Sequence, residues 1–344
     1  MPRRPSRVTM KDIARELNVT VTTVSRALDD KPDIAPATKR RVLDAARRSG
    51  YVKSALGRGL ATGYVRAVGC VLTAFTDPFV GCVLEGIEDV AREAGFALII
   101  ASSQASEEHE IKAIDDFDAY KVAAIIVLGS RVQQLHMARL MSLRSPTVLI
   151  NSEDLRSYAR SVRIDHVAAA KKAVAHLVAL GHRRIAHISV AEESTTQSQR
   201  YLGYRQALEE QGLSYDPTLC VRVEDSERGG AEGARALLQL ELRPTALSCF
   251  DDRIAIGAIS ALNQAGLSVP HDMSVIGIDD IPVAAWLSPP LTTVRQPLRE
   301  TGQKAMEMAL RLLAGEETGE IVLESELIVR GSTAAPPDNT LVAR

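Results

Sequence analysis

Aromatic residues are scarce in this 344-residue chain, at 4% of positions with a single Trp. Any core must therefore be packed by Ala, Val, Leu and Ile, and the 46% hydrophobic content is enough to supply one. Cysteine is scarcer still. Cys70, Cys82, Cys220 and Cys249 are scattered without a C-x-x-C pair, which argues against a disulfide framework and for synthesis in a reducing compartment. No apolar run approaches the ~18–20 residues of a membrane span, and MPRRPSRVT lacks the apolar stretch that follows in a secretion leader. The enzyme motifs G-x-x-x-x-G-K-[ST], G-x-S-x-G and H-E-x-x-H are absent as well. His182 and His187, five apart astride a strand start, read as structural. The expectation is a cytoplasmic chain that is not an enzyme and needs no cofactor or metal.

What the chain does have is an uneven charge. Residues 1–66 hold 15 Lys/Arg and 6 Asp/Glu, while the remainder holds 26 and 37, so the net charge of -2 hides a basic head on an acidic body. A basic head points to a polyanion.

Three helical segments fit residues 1–52. TMKDIARELN opens on a cap residue, Thr9, places Ile13, Ala14 and Leu17 on one face, and is broken by Asn18. VTVTTVSRAL follows, six of ten residues Val or Thr, and by propensity it is a strand. Yet Thr20 can cap it, and Val24, Ala27 and Leu28 share a helical face, with Val21 three before Val24. A third helix runs through TKRRVLDAARRSG, with Val42, Leu43 and Ala46 inward and Gly50 as its stop. Two short helices joined by about three residues make a helix-turn-helix. Burying one apolar face outweighs a propensity deficit of a few tenths of a kcal/mol per residue. Thr20, Thr22, Thr23, Ser25 and Arg26 are left outward: hydroxyls suit phosphate oxygens, and Arg26 can pair bidentately with guanine O6 and N7.

VTMKDIARELNVTVTTVSRAL, followed by RRVLDAARRSGY, resembles the head of the lactose repressor (LacI/GalR) family of bacterial transcription factors. The resemblance implies that Val21, Thr22 and Arg26 face bases in the major groove while Thr20, Thr23 and Ser25 hold phosphates. Val21 stands where the family often has a polar residue, so an apolar contact such as a thymine methyl is expected there. The family places a hinge helix after the head, and KSALGRGLATGYVR (53–66) occupies that place. Its carried-over hinge and minor-groove positions are Ser54, Leu56, Arg58 and Leu60, with Leu60 as the wedge that unstacks a central base step. Gly57 and Gly59 replace the usual Ala and Ser. Each Gly costs ~1 kcal/mol in a helix, so residues 54–61 are expected to be helical only on DNA. The glycines also spell G-x-G-x-x-x-G, but one residue out of register for a dinucleotide loop and without a preceding strand.

From Ala67 onward, apolar strands alternate with amphipathic helices: RAVGCVLT, a helix near LEGIEDVAREAG, ALIIAS, VAAIIVL, PTVLIN, and a second round from RRIAHISV. That pattern predicts parallel sheets covered on both faces. An internal echo at an offset of 117, Gly86–Gly95 against Gly203–Gly212, suggests two equivalent lobes. The expected fold is thus a small all-α helix-turn-helix head on an α/β two-lobed core of the periplasmic-binding-protein type. The head spans residues 1–52 and the hinge 53–66. The effector-binding and dimerisation core spans 67–335, with an N-lobe of about 67–164 and 296–325 and a C-lobe of about 165–295 and 326–335. The tail STAAPPDNTLVAR has no leucine heptad for tetramerisation and reads as disordered, wholly so over 336–344.

Two such lobes enclose a cleft, with ligands outside the carboxyl ends of the strands. GHRRIAHI, VIGIDDIP and LTTVRQP extend the family resemblance through the core. It implies effector contacts at Thr73, Phe79, Asn151, Arg200, Asp251 and Asp279, a set suited to a polyol. Asn151 and Asp251 reverse the family's usual Asp and Asn. Of the two adjacent acids, Asp252 is expected to cap the following helix and Asp251 to face the ligand. The resulting expectation is a sequence-specific, DNA-binding repressor of carbohydrate-utilisation genes, cytoplasmic and nucleoid-associated in a bacterium. It would be a homodimer on a pseudo-palindromic double-stranded operator, without a membrane, under a sugar or polyol effector. A solute-binding protein for uptake shares the two-lobed body but has no use for residues 1–66.

Overall fold

The computed structural model describes residues 8–51, 63–75, 78–104, 106–129, 140, 142–151, 160–192 and 194–337. Ser54, Leu56, Arg58 and Leu60 lie outside the described residues, as does the end of the tail from 338. The chain divides into two compact units at residue 66, each taken by itself. Among the described residues no helix is long and apolar enough to cross a membrane.

The first unit holds α1 (Met10–Leu17), α2 (Val21–Leu28) and α3 (Pro36–Arg48). Thr9 and Asp12 form a reciprocal capping box on α1, and Asn18 ends it in the left-handed region at φ 51°. Thr20 caps α2 through the Thr23 amide at 3.0 Å. The Val/Thr-rich stretch is therefore helical, its Val24 and Ala27 buried with Ile13, Ala14, Val42, Ala45 and Ala46. Two expectations shift. α3 begins at Pro36, whose fixed φ and missing N–H suit a first helical position. Leu43 is 39% exposed, and Ala45 takes an inward place instead. At 100° per residue, Val42, Ala45, Ala46 and Ser49 form the i, i+3, i+4, i+7 row, which leaves Leu43 off the face.

The second unit contains two six-stranded sheets. One is built from β1 (Val65–Leu72), β2 (Ala97–Ser102), β3 (Val122–Leu128), β4 (Thr147–Ile150), β5 (Ser161–Ile164) and β11 (Ile321–Leu323), in the order β11-β5-β4-β3-β1-β2. The other uses β6 (Ile185–Val190), β7 (Cys220–Val223), β8 (Ala246–Cys249), β9 (Ser274–Asp279), β10 (Thr292–Arg295) and β12 (Glu326–Ile328), in the order β12-β10-β9-β8-β6-β7. The described pairings are parallel except β10 with β12. All residues of β3 and β6 are buried, as strands covered on both faces require.

α4 (Pro78–Glu93), α5 (Glu107–Ala119) and α10 (Leu298–Leu313) cover the first sheet. α6 (His166–Ala179), α7 (Thr195–Glu210), α8 (Glu227–Leu238) and α9 (Asp252–Gln264) cover the second. The echoed glycines do the same work in both. A β-carbon on Gly86 of α4 would overlap the Arg299 carbonyl of α10, and one on Gly203 of α7 would overlap the Val167 carbonyl of α6. Gly95 and Gly212 end their helices at φ 73° and 66°.

The chain passes between the sheets three times: at Asp165, at Gln296–Pro297, and at Glu324–Ser325. Beyond β12, the stretch expected to be disordered is pinned over Ser332–Ala334. Ser332 Oγ donates to the Val275 carbonyl at 2.6 Å, and the Ala334 amide donates to Ser274 Oγ at 3.0 Å. The small polar residues that lower the segment's hydrophobicity include Ser332, which hydrogen-bonds the start of β9, a strand inside the sheet, ahead of its pairing with β10.

Candidate functional site

In the first unit, α2 presents two adjacent rows: Val21 with Ser25, and Thr22 with Arg26, each at i, i+4. Val21, Thr22 and Arg26 are exposed; Thr23 and Ser25 are half-buried. Thr20 Oγ1 lies 2.8 Å from Thr23 Oγ1 while accepting from the Thr23 amide. When Thr23 donates to Thr20, the Thr20 hydroxyl keeps its own proton for a phosphate oxygen. Arg26 is not idle. Its Nη2 lies 2.7 Å from the Asp33 carboxylate, both side chains half-exposed. That pairing raises the Arg26 pKa and lowers that of Asp33. A charged fork held this way is pre-oriented, and a water-exposed partner is readily exchanged for a bidentate acceptor.

In the second unit, a cavity of 540 Å³ opens at the carboxyl ends of the strands. Thr73 follows β1, Gly129 follows β3, Asn151 follows β4, Glu192 lies just past β6, Asp225 past β7, Asp251 past β8, and Asp279 ends β9. All six residues assigned to the effector by resemblance line this one cavity: Thr73, Phe79, Asn151, Arg200, Asp251 and Asp279. Backbone strain concentrates here too. Gln104, Asn151 and Asp279 line the cavity with φ of 51°, 46° and 122°, and non-glycine residues in such regions persist where surrounding structure holds them.

Arg200 comes from α7 and is 3% exposed. Its Nη1 donates to the Phe250 carbonyl, its Nη2 donates to Asp279 Oδ1 at 2.8 Å, and its guanidinium carbon sits 4.6 Å from the Phe250 ring centroid. Its Nε–H has no partner. Asn151 spends its Oδ1 on the Ile164 amide at 2.9 Å, leaving its NH₂ to the cavity.

Asp251 takes both roles expected of the adjacent acids, the cap and the cavity-facing place, and Asp252 takes neither. Asp251 is the N-cap of α9, accepting from the Ile254 amide at 2.8 Å, and it also faces the cavity. Asp252 is fully buried, accepting from the Thr293 hydroxyl at 2.5 Å and the Ile281 amide at 2.9 Å. Asp251 has the extended backbone an N-cap needs, whereas Asp252 is already the first helical residue. Burial first, then the Asp279 and Asp225 charges, push the Asp251 carboxyl up to about 8. Burial also raises the Asp225 carboxyl, against the Arg253 guanidinium 3.9 Å away, which lowers it. Burial and the Arg200 charge hold His166 well below the usual imidazole range, hence neutral.

His166 lines the cavity beside a chain crossing and meets Gln296, at the next crossing, at 3.4 Å. The third joins them through Lys172, which donates to the Ser325 carbonyl at 2.6 Å, and through the Asp165 amide, which donates to the Leu323 carbonyl at 3.3 Å. A ligand in the cavity therefore meets His166, whose ring is tied to the second crossing through Gln296.

Residues 9–54 match the model of bacterial regulatory proteins, lacI family, and residues 174–333 match a periplasmic binding protein-like domain. The chain is 34% identical over 331 residues to the HTH-type transcriptional repressor CytR of Escherichia coli (strain K12), covering 96% of this chain and 97% of that protein. The chain belongs to the lacI family. Among solved structures of this family, the lac repressor dimer bound to operator and an anti-inducer aligns with a TM-score of 0.89 at 25% identity, over 96% of this chain and 100% of that one. A CelR–cellobiose complex aligns with a TM-score of 0.72 at 27% identity, over 95% and 100%. The lacI-family cavity also includes His166, Glu192, Asp225, Phe250 and Arg253, which sequence reading did not assign. Asp225 had a signal: VRVED, LSCFDD and VIGIDD each run an apolar strand into an acid at its carboxyl end.

Proposed function

We propose that this lacI-family regulator reads a pseudo-palindromic operator as a homodimer, with Val21, Thr22 and Arg26 of α2 facing bases and Thr20, Thr23 and Ser25 on phosphates. The chain is a non-enzymatic, DNA-binding transcriptional repressor, and its small-molecule effector is sugar-like. The observation that carries this reading is a pairing in one chain. An α2 with exposed Val21, Thr22 and Arg26 stands ahead of a cavity in which all six expected effector residues converge. The hinge residues Ser54, Leu56, Arg58 and Leu60 complete the reading by meeting their mates in the minor groove, with Leu60 as wedge. The protein works where its operator is, in the bacterial cytoplasm on the nucleoid. Effector and operator must alter each other's affinity by the same factor.

Two substitutions separate the parts. Arg26→Ala is expected to weaken operator binding about 10- to 100-fold and to relax preference at one base pair per half-site. Equal weakening on every sequence, in a fluorescence-anisotropy titration at fixed salt, would reassign Arg26 to a phosphate. Arg200→Ala is expected to abolish the effector response with operator affinity retained, and a normal response would remove Arg200 from the effector site.

A further inference from the structure

An acid stands beside the exposed arginine of α2, in a head that is otherwise strongly basic. Residues 1–66 hold 15 Lys/Arg and 6 Asp/Glu, and three of those acids serve the head's own fold. Asp12 closes the capping box of α1, Glu16 pairs with Arg48 at 2.8 Å, and Asp30 pairs with Lys39 at 2.7 Å. Asp33 is placed differently. The N-cap of α3 is Ala35, two residues on, so Asp33 is not the cap of that helix. Its carboxylate lies 2.7 Å from Arg26 Nη2 instead.

The turn that carries Asp33 is anchored on both sides. The Lys31 amide donates to the Arg26 carbonyl at 3.1 Å and the Asp30 amide to the Ala27 carbonyl at 3.3 Å. These bonds close the end of α2, with Asp30 in the left-handed region at φ 53°. Lys39 Nζ also donates to the Asp30 carbonyl at 3.2 Å. On the far side, Ile34 packs against the core of the head. The fold thus sets the place of Asp33 beside Arg26.

An exposed ion pair adds little stability, so its consequence lies in what Arg26 can bind. Two kinds of acceptor compete for an arginine at a DNA surface. Guanine O6 and N7 are neutral and carry sequence, whereas a phosphate carries a full charge and no sequence. Nη2 has two N–H groups, so with one on Asp33 the other, and those of Nη1, stay open to O6 and N7. A phosphate taking up Arg26 would bring its charge next to the Asp33 carboxylate, and like charges that close repel. The repulsion falls on the contact without sequence and spares the one with it. A penalty on the wrong partner is one of the two routes to specificity.

We propose that Asp33 is a specificity-determining residue of the head: it keeps Arg26 off phosphates and so reserves it for guanine. Asp33 acts through Arg26 and need not touch DNA itself. The inference rests on Arg26 facing a base, as proposed above. What the pair selects is a G·C base pair read from the major groove, and what it rejects is the sugar–phosphate backbone.

The test is a double-mutant cycle in the full chain: native protein, Arg26→Ala, Asp33→Ala and both together. Fluorescence anisotropy follows binding to three duplexes over a range of salt. They are a palindrome selected from random duplexes, the same palindrome replaced at the base pair where Arg26→Ala loses its preference, and a scrambled duplex. Asp33→Ala is expected to bind the scrambled duplex more tightly, with a salt slope steeper by about 0.9, one phosphate's share. Its discrimination against the replaced pair should fall about fivefold or more, the lower end of what a bidentate arginine–guanine contact supplies. In the Arg26→Ala background the same substitution should leave discrimination and slope as they were. Asp33→Asn keeps an oxygen near Nη2 without the charge, so it should follow Asp33→Ala while preserving the turn. Undiminished discrimination in both Asp33 variants, or equal changes with and without Arg26, would overturn the inference and leave Arg26 on its base. Were Arg26→Ala to weaken every duplex equally, the base reading would fall, and the inference with it.

Discussion

Asp251 carries two duties that conflict, and the conflict is measurable. As N-cap of α9 it is worth keeping, yet burial and the neighbouring acids push its carboxyl from 3.8 up to about 8. Between those values the folded protein retains a proton that the unfolded chain has lost. Stability attributable to this group therefore falls as pH rises through that window. Asp251→Asn keeps the cap and removes the ionisation. It should raise the melting temperature of the ligand-free protein at pH 8 by more than about 3 °C, roughly what 1 kcal/mol shifts in a unit of this size, and by less at pH 5. Equal shifts at both values would place the perturbation elsewhere. The acid pair DD in LSCFDD was visible in the sequence, but its division of labour was not. Cap and first helical residue differ by one step in φ and ψ, which composition does not encode. Arg26 shows the complementary case: its outward position was legible, while its hold on Asp33 required the turn that brings residue 33 back to α2.

At the scale of elements, α2 is the informative failure of propensity. Five of the eight residues of Val21–Leu28 are Val, Thr or Ser, and the segment is helical because Val24 and Ala27 have α1 and α3 to pack against. The paired glycines of α4 and α7 make a sharper point about helix contact. Gly86→Ala and Gly203→Ala should each destabilise the protein by about 1–3 kcal/mol, since a methyl group must push a carbonyl on the neighbouring helix. Gly81, in the same helix as Gly86, has nothing within 4 Å of a β-carbon. Gly81→Ala should instead stabilise by about 0.4–1 kcal/mol. Urea midpoints for the three variants decide between close helix packing and a general intolerance of α4 and α7 to substitution. The glycine echo was readable as repetition. Which neighbour each glycine admits depends on contacts between segments far apart in sequence, Gly86 with Arg299 above all.

For the molecule as a whole, the alternation of apolar strands and amphipathic helices carried the two-lobed parallel architecture, and the run of strand ends into acids carried the cavity. Less legible was His166, which lines the cavity from beside a crossing and meets Gln296 at the next one, because no local pattern marks a place where three connections meet. Those crossings matter to the account, since a ligand that binds one arrangement of the sheets better than another shifts the equilibrium by its differential affinity alone. The most direct test of the whole is operator affinity of the full-length protein at one salt concentration, on a palindrome selected from random duplexes and on its scrambled counterpart, with and without a cavity ligand. The account predicts about 10³-fold or more tighter binding to the palindrome, altered by the ligand in the native chain and unaltered in Arg200→Ala. Equal, salt-labile binding to every duplex, indifferent to ligand, would contradict it.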